Sequence, residues 1–297
     1  MSLPTPRRAL GLTALCTLTL AGCVDFDREV VVITTPPDSK ELRALIIYEG
    51  IHGKGNSAAD LTEAKQQLGQ FVDRGQEFCL IDNWITHVVL TPSENDDPQG
   101  AATKTLLRGE LTVRNHAFYL EGGKLCGYQT VTARDRDRLV AGLNKIGSAV
   151  AAEGVKKERE KPRENPSDLS EESLRRLEKA AQSGFAWLEL QPGQLRFTLP
   201  ITAADAKRLK NEFAASNDEF TKALLKENSV TIGADDAGFH VTLGEGGGKP
   251  IRYTVPHPPS FPSFRKEITE YARTLKVPFK DGLTTEKVIA EFLKGGR

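Results

Sequence analysis

The sequence predicts an α+β fold: two small domains of mainly antiparallel sheet with packed helices, placed after an N-terminal leader and a tether. Three observations predict it. Short strand-type runs come in pairs separated by turn residues, the pattern of antiparallel hairpins. Between them lie segments whose apolar residues recur at helical spacing. A charge-dominated run containing Pro162 and Pro166 separates two such groups of elements, and runs of that kind stay solvated and mark boundaries. The expected division is a leader over 1–22, a tether over 23–40, domain one over 41–153, a charged linker over 154–169 and domain two over 170–297. A chain of 297 residues has room for about two domains.

In the tether, Pro36-Pro37 and Asp38-Ser39-Lys40 break regular structure, although Val30-Val31-Val32-Ile33 is long enough for an edge strand. Fully extended, such a stretch reaches about 55 Å and would hold a domain clear of lipid headgroups. Domain one opens on the apolar run 42–48. A helix over about 58–73 follows, with Leu61, Ala64, Leu68, Phe71 and Val72 on one face. Strands are expected near 77–82, 84–91, 105–114, 116–121 and 125–131, with a hairpin turn at Glu121-Gly122-Gly123-Lys124 and a loop over 93–100. A helix over about 133–152 closes the domain on Leu139, Leu143, Ile146 and Val150.

In domain two, a helix over 171–183 ends at Gly184, which suits a left-handed C-terminal cap. A hairpin over 185–199 turns at Gln191-Pro192-Gly193-Gln194. Helical patterns cover 203–215 and 218–227, strands fit 229–232, 238–243 and 250–255, and two helices finish the chain. Residues 132–139 and 202–209, which begin Thr132-Ala133-Arg134-Asp135 and Thr202-Ala203-Ala204-Asp205, look alike, and each opens a helix. Either the halves are related ββα modules or each has its own capping box, in which a hydroxyl and an acid three residues later satisfy the first-turn amides.

Composition narrows the function. Forty basic and 40 acidic side chains balance, which excludes a nucleic-acid partner of the usual basic kind. With 39% hydrophobic and 27% charged residues, the chain is neither disordered nor a multispanning membrane protein. The first 23 residues say more. Arg7-Arg8 precede an apolar run over 9–20, too short to span a bilayer, which needs about 20 residues, but proportioned like the core of a signal peptide. The run ends in Leu20-Ala21-Gly22-Cys23, which resembles the lipobox of bacterial lipoprotein precursors; no family is recognised for the domains that follow. That resemblance implies cleavage before Cys23, a diacylglyceryl thioether on its sulfur and an acylated new N-terminus. The membrane would then be one partner, reached through N-terminal lipid, and an envelope protein another. In Gram-negative members of the class an aspartate after the cysteine favours inner-membrane retention; Val24 here points to the outer membrane, facing the periplasm. Arg7-Arg8 also resembles a twin-arginine signal, but Pro6 and Gly11 fit it poorly.

Outside the cytoplasm, Cys79 and Cys126 can form a disulfide, worth about 4 kcal/mol for a loop of that size. Two separate buried thiols are the alternative. No catalytic residue, metal or cofactor is assigned. The five histidines lack metal-ligand spacing, and no Gly-x-Ser-x-Gly or His-Glu-x-x-His occurs. The glycine-rich stretch 244–250 has Leu243 and Pro250 where a phosphate loop needs glycine and a hydroxyl, so it reads as a hairpin loop. A better candidate is the loop over 49–57, between a strand and a helix N-terminus, where free amides attract anions. There Lys54 and Ser57 would hold an anion or other ligand, with Glu49 and His52 as acid–base groups. The leading reading is a lipid-anchored envelope protein with a binding or structural role. The alternative is an envelope enzyme, such as a hydrolase, acting near Glu49 and His52.

Overall fold

Runs of β-branched and aromatic residues build the main sheet. The computed structural model describes residues 24–36, 39–73, 78–81, 85–89, 97–160, 168–215, 222, 225, 229–256 and 264–295, with the backbone alone for 78–81 and 85–89. The elements run β1 (Val24–Asp25), β2 (Arg28–Thr34), β3 (Leu42–Glu49), β4 (His52–Gly53), α1 (Ala58–Asp73), β5 (Phe78–Ile81), β6 (Ile85–Val89), α2 (Pro98–Glu110), β7 (Leu111–Glu121), β8 (Lys124–Ala133) and α3 (Arg136–Glu160). There follow α4 (Glu171–Ser183), β9 (Leu188–Gln191), β10 (Gln194–Leu199), α5 (Ala203–Ala214), β11 (Val230–Asp235), β12 (Gly238–Leu243), β13 (Ile251–Pro256), α6 (Arg265–Ala272), β14 (Phe279–Lys280) and α7 (Thr285–Lys294). The class is α+β. Among the described residues no helix is long and apolar enough to cross a membrane.

Six strands form the larger sheet in the order β13-β2-β3-β8-β7-β14, antiparallel throughout except for the parallel β14–β7 pair. The segment expected as a tether is therefore part of the fold. β2 lies between β13 and β3, and Val30, Val31 and Val32 are each at most 2% exposed. Alternate residues serve opposite faces. Val31 joins Ile46, Tyr48, Phe118 and Leu125 beneath α1 and α6, whereas Val30 and Val32 join Leu45, Ile47, Tyr119 and Cys126 beneath α7. An unbroken apolar run is what a strand buried on both faces requires; the two prolines and charges after it obscured that reading.

The expected boundary between domains also moves. A second sheet, ordered β11-β12-β10-β9, packs with α4 and α5 around Leu174, Leu177, Trp187, Ile201 and Phe239. The chain then returns: β13 pairs with β2, α6 covers the first face and α7 the second. The second unit is thus an insertion within the first, and residues 251–294 belong to the sheet of expected domain one. α3 joins the units, with Leu139 in the first core and Val155 in the second. The glycine-rich stretch 244–250 is not a hairpin loop, because β12 and β13 lie in different sheets.

Two local expectations also change. Residues 98–110 form α2 where a loop and a strand were expected. Asp97 caps it, accepting from the Gly100 amide at 2.6 Å, and Pro98 occupies the first turn, where a missing N–H costs nothing. The likeness between 132–139 and 202–209 does not survive as equivalent structure. Thr202 caps α5 and accepts from Asp205 N. In the other copy Thr132 lies in β8, and Asp135 itself accepts from the Asp137 and Arg138 amides at the start of α3. The matching residues sit three positions apart relative to their helices, as expected of independent caps. The turn at Gly122-Gly123 and the left-handed Gly184 cap, with φ 70°, form as expected; most of 218–227 lies outside the described residues.

Candidate functional site

The loop from Glu49 to Ser57 is built around a sharp turn. Gly50 has φ 72°, and a side chain there would run into the Asp27 carboxylate. Glu49, the last residue of β3, faces its cross-strand partner Arg28, whose Nε lies 2.6 Å from Glu49 Oε2. Its other oxygen accepts from Thr285 Oγ1 at 2.7 Å. His52 is 1% exposed, with Nδ1 2.8 Å from the Gly50 carbonyl and 3.8 Å from Asp27 Oδ1. A carbonyl can only accept, so Nδ1 carries a proton. Lys54 pairs with Asp25 at 2.9 Å.

Ser57 closes a capping box with Asp60: Ser57 Oγ accepts from Asp60 N at 3.1 Å, and Asp60 Oδ2 accepts from Ser57 N at 3.0 Å and Asn56 N at 2.9 Å. Those bonds from the Ser57 and Asn56 amides, with the Ser57 side chain, hold the Asp60 carboxyl below the usual range. The chain's own carboxylate therefore occupies the position that an external anion would take. The four candidates do not converge: Glu49 turns toward β2 and α7, His52 toward Asp27, Lys54 toward Asp25, and Ser57 onto α1.

Two other clusters form that sequence reading missed. Asp27 accepts from Arg265 at 2.6 Å and Lys124 at 2.9 Å, while Arg265 also donates to the Gly50 carbonyl at 3.2 Å. Burial pushes the Asp27 carboxyl up, but the bonds from Arg265 and Lys124 outweigh it and leave it below the ordinary value. This cluster ties the loop to α6. Nothing local in the sequence links three residues so far apart, and Asp27 fell in the expected tether.

The second cluster centres on Thr285 at the start of α7. Its hydroxyl lies 2.7 Å from both Glu49 Oε1 and Glu121 Oε2 and 3.1 Å from the Tyr119 hydroxyl, while its amide donates to Glu121 at 3.0 Å. Burial pushes the Tyr119 phenol well above its ordinary value and the neighbouring Cys126 thiol up to about 11. Cys126 is a free buried thiol; its expected disulfide partner, the Cys79 side chain, lies outside the described residues, as does Cys23. A thiol held protonated in this way is a poor nucleophile.

Between α1 and the first sheet face is a cavity of about 60 Å³, with Val24, Phe71 and Phe118 among its apolar lining. Its polar wall is already satisfied. Tyr48 Oη donates to Gln129 Oε1 at 2.9 Å, Gln129 Nε2 to Asn115 Oδ1 at 2.5 Å, and Asn115 Nδ2 to the Phe71 carbonyl at 3.2 Å. Small-molecule pockets start at about 300 Å³, so this space admits only a few atoms. Among the described residues no three histidine, cysteine, aspartate or glutamate side chains are placed to hold a metal ion. No family model, curated protein or solved structure matches the chain.

Proposed function

We propose that this chain is a lipid-anchored cell-envelope protein that works by binding or structural contact at the membrane surface. The observation that carries the reading is Leu20-Ala21-Gly22-Cys23, following Arg7-Arg8 and a short apolar run. Two or more acyl chains on Cys23 would anchor the protein stably, where a single chain does so only marginally. Val24 in place of an aspartate favours the outer membrane.

The position of β1 sharpens this reading. Val24 pairs with Gly53, and its amide donates to Gln67 Oε1 of α1 at 2.8 Å. The acylated residue is thus one Cα step, about 3.8 Å, from the folded domain. The domain would lie against the headgroups and meet an envelope partner there. Binding is favoured over the alternative hydrolase because Glu49, His52, Lys54 and Ser57 are each engaged in separate structural contacts.

The test is incorporation of radiolabelled palmitate by the parent chain and by Cys23→Ser. The parent should take up label and fractionate with membranes, while the variant should do neither. An unlabelled parent, or a variant labelled equally, overturns the reading.

A further inference from the structure

Several short pieces of chain meet at the end of the larger sheet where the anchor would enter. β1 pairs with β4, the Ile51 amide donates to the Leu125 carbonyl beside the β7–β8 turn, and Phe264, just before α6, packs on Gly53. Val24 is the partner of Gly53. In an antiparallel pair the residue after Gly53 lies on the side from which the chain enters Val24. Lys54 is therefore the residue of β4 and its turn nearest the point of attachment.

Charge at this end is layered, with acids inside and cations outside. Asp25 and Lys54 form a 2.9 Å ion pair in which the side chains are 12% and 42% exposed. Asp27, at 25%, lies beneath Lys124 at 56% and Arg265 at 35%, and Glu49 lies beneath Arg28 in the same order. Two further acids here, Asp60 and Glu121, are turned onto backbone amides at the starts of α1 and α7. Because Lys124 and Arg265 share the Asp27 carboxylate, that cluster carries a cation in excess. An ammonium has three N–H donors, and among the described residues Lys54 and Lys124 each meet one carboxylate, which leaves donors for an acceptor outside the fold.

We propose that this sheet end docks on anionic phospholipid headgroups, with Lys54, Lys124 and Arg265 at the level of the lipid phosphates. The place of the anchor selects the occupant. Residue 23 is four Cα steps from Asp27, at most about 15 Å, and the headgroup layer of a leaflet is about 6 Å thick. Acylation of Cys23 would thus hold all three cations within about two screening lengths, each about 8 Å, of the phosphates. Basic residues beside an anionic leaflet gain an attraction that fades over that length. A soluble anion or an acidic protein has no comparable tie to residue 23. The proposal rests on the reading of Cys23 as acylated and adds to it the face that meets the membrane and the headgroup charge it prefers.

The test is lysine footprinting of the protein extracted from its host's membranes and added to preformed vesicles. A membrane-impermeant succinimidyl ester modifies the lysines, and mass spectrometry of the digest gives the rate at each. On vesicles with one third phosphatidylglycerol, Lys54 and Lys124 should react at least fivefold more slowly than on phosphatidylcholine alone. Salt at about 1 M, where the screening length falls to about 3 Å, should remove the difference. Lys207 and Lys249, exposed in the second unit, should change less than twofold. Lys124→Gln, which leaves Arg265 on Asp27, should at least halve the slowing at Lys54 with an unchanged unfolding midpoint. Equal rates on the two vesicles, slowing that survives salt or extends to Lys207 and Lys249, or an unchanged footprint in the variant overturns the docking surface. The same digest gives the mass of the N-terminal peptide, which separates the two failures. An acylated Cys23 without slowing refutes the docking surface alone, whereas an unmodified Cys23 refutes the anchor and this proposal with it.

Discussion

Substitution of Val30 and Val31 by alanine, one at a time, distinguishes an interior strand from a tether. The two side chains are 1% and 2% exposed and belong to cores on opposite sides of the sheet. Each change deletes two buried methyl groups. At about 0.8 kcal/mol per buried carbon, the transfer loss is about 1.6 kcal/mol. A residual void of about 40 Å³, at about 24 cal/mol per Å³, adds about 1 kcal/mol. Each variant should therefore lose about 2.5 kcal/mol. With an m-value of about 3 kcal/mol/M, this lowers the urea midpoint by about 0.8 M without changing the slope. The pattern is as informative as the size: an edge strand with one wet face would lose stability at one valine only, and a tether at neither. A loss below about 0.5 kcal/mol at either position, the range of ordinary surface changes, would refute the interior placement.

Other perturbations have equally definite outcomes. Thr285→Val keeps the shape of the side chain but removes the donor between Glu49 and Glu121; loss of a hydrogen bond to a charged group should cost about 1.5–3 kcal/mol in urea unfolding, and an unchanged midpoint would contradict the cluster. Asp205 accepts from Ser170, Ser173 and Arg208, and these bonds outweigh its burial and hold its carboxyl far below the usual range. A carboxyl depressed in the folded state contributes stability that is complete above its unfolded pKa of about 3.9 and is lost as pH falls below it. Asp205→Asn should therefore lower stability by about 3 kcal/mol at pH 7 and by clearly less at pH 2.5, whereas an equal loss at both would contradict the assignment. The Cys126 thiol, buried and raised to about 11, should resist iodoacetamide at pH 8 in the native protein and react in 6 M guanidinium, read by mass spectrometry of its peptide.

Much of the local structure was legible in the sequence because it is set by neighbouring residues. Helical periodicity placed α1 and α3, and paired glycines placed the β7–β8 turn. Long-range pairing was not legible. Nothing near Val30 indicates that residues over 200 positions away form its other neighbour, so the insertion of the second unit and the interior role of β2 were both missed. The same reason accounts for the Asp27 cluster, which draws on β8 and α6. α2 was missed because Leu106-Leu107 reads equally well as strand; the Asp97-Pro98 start signal was present but lay within an apparent loop. The loop over 49–57 was correctly located between a strand and a helix, but the partners that bind up its polar groups come from β1, β2 and α7.

The most direct measurement of the central claim is the height of the domain above a bilayer. If Cys23 is acylated as proposed, neutron reflectometry on the protein extracted from its host's membranes and reconstituted in a supported bilayer should find protein density beginning at the headgroups, with no intervening water layer. A variant with a 15-residue Gly/Ser insert between Cys23 and Val24 should open such a layer. A hydrated gap of tens of ångströms beneath the parent protein, or failure of that protein to associate with the bilayer, would contradict the account.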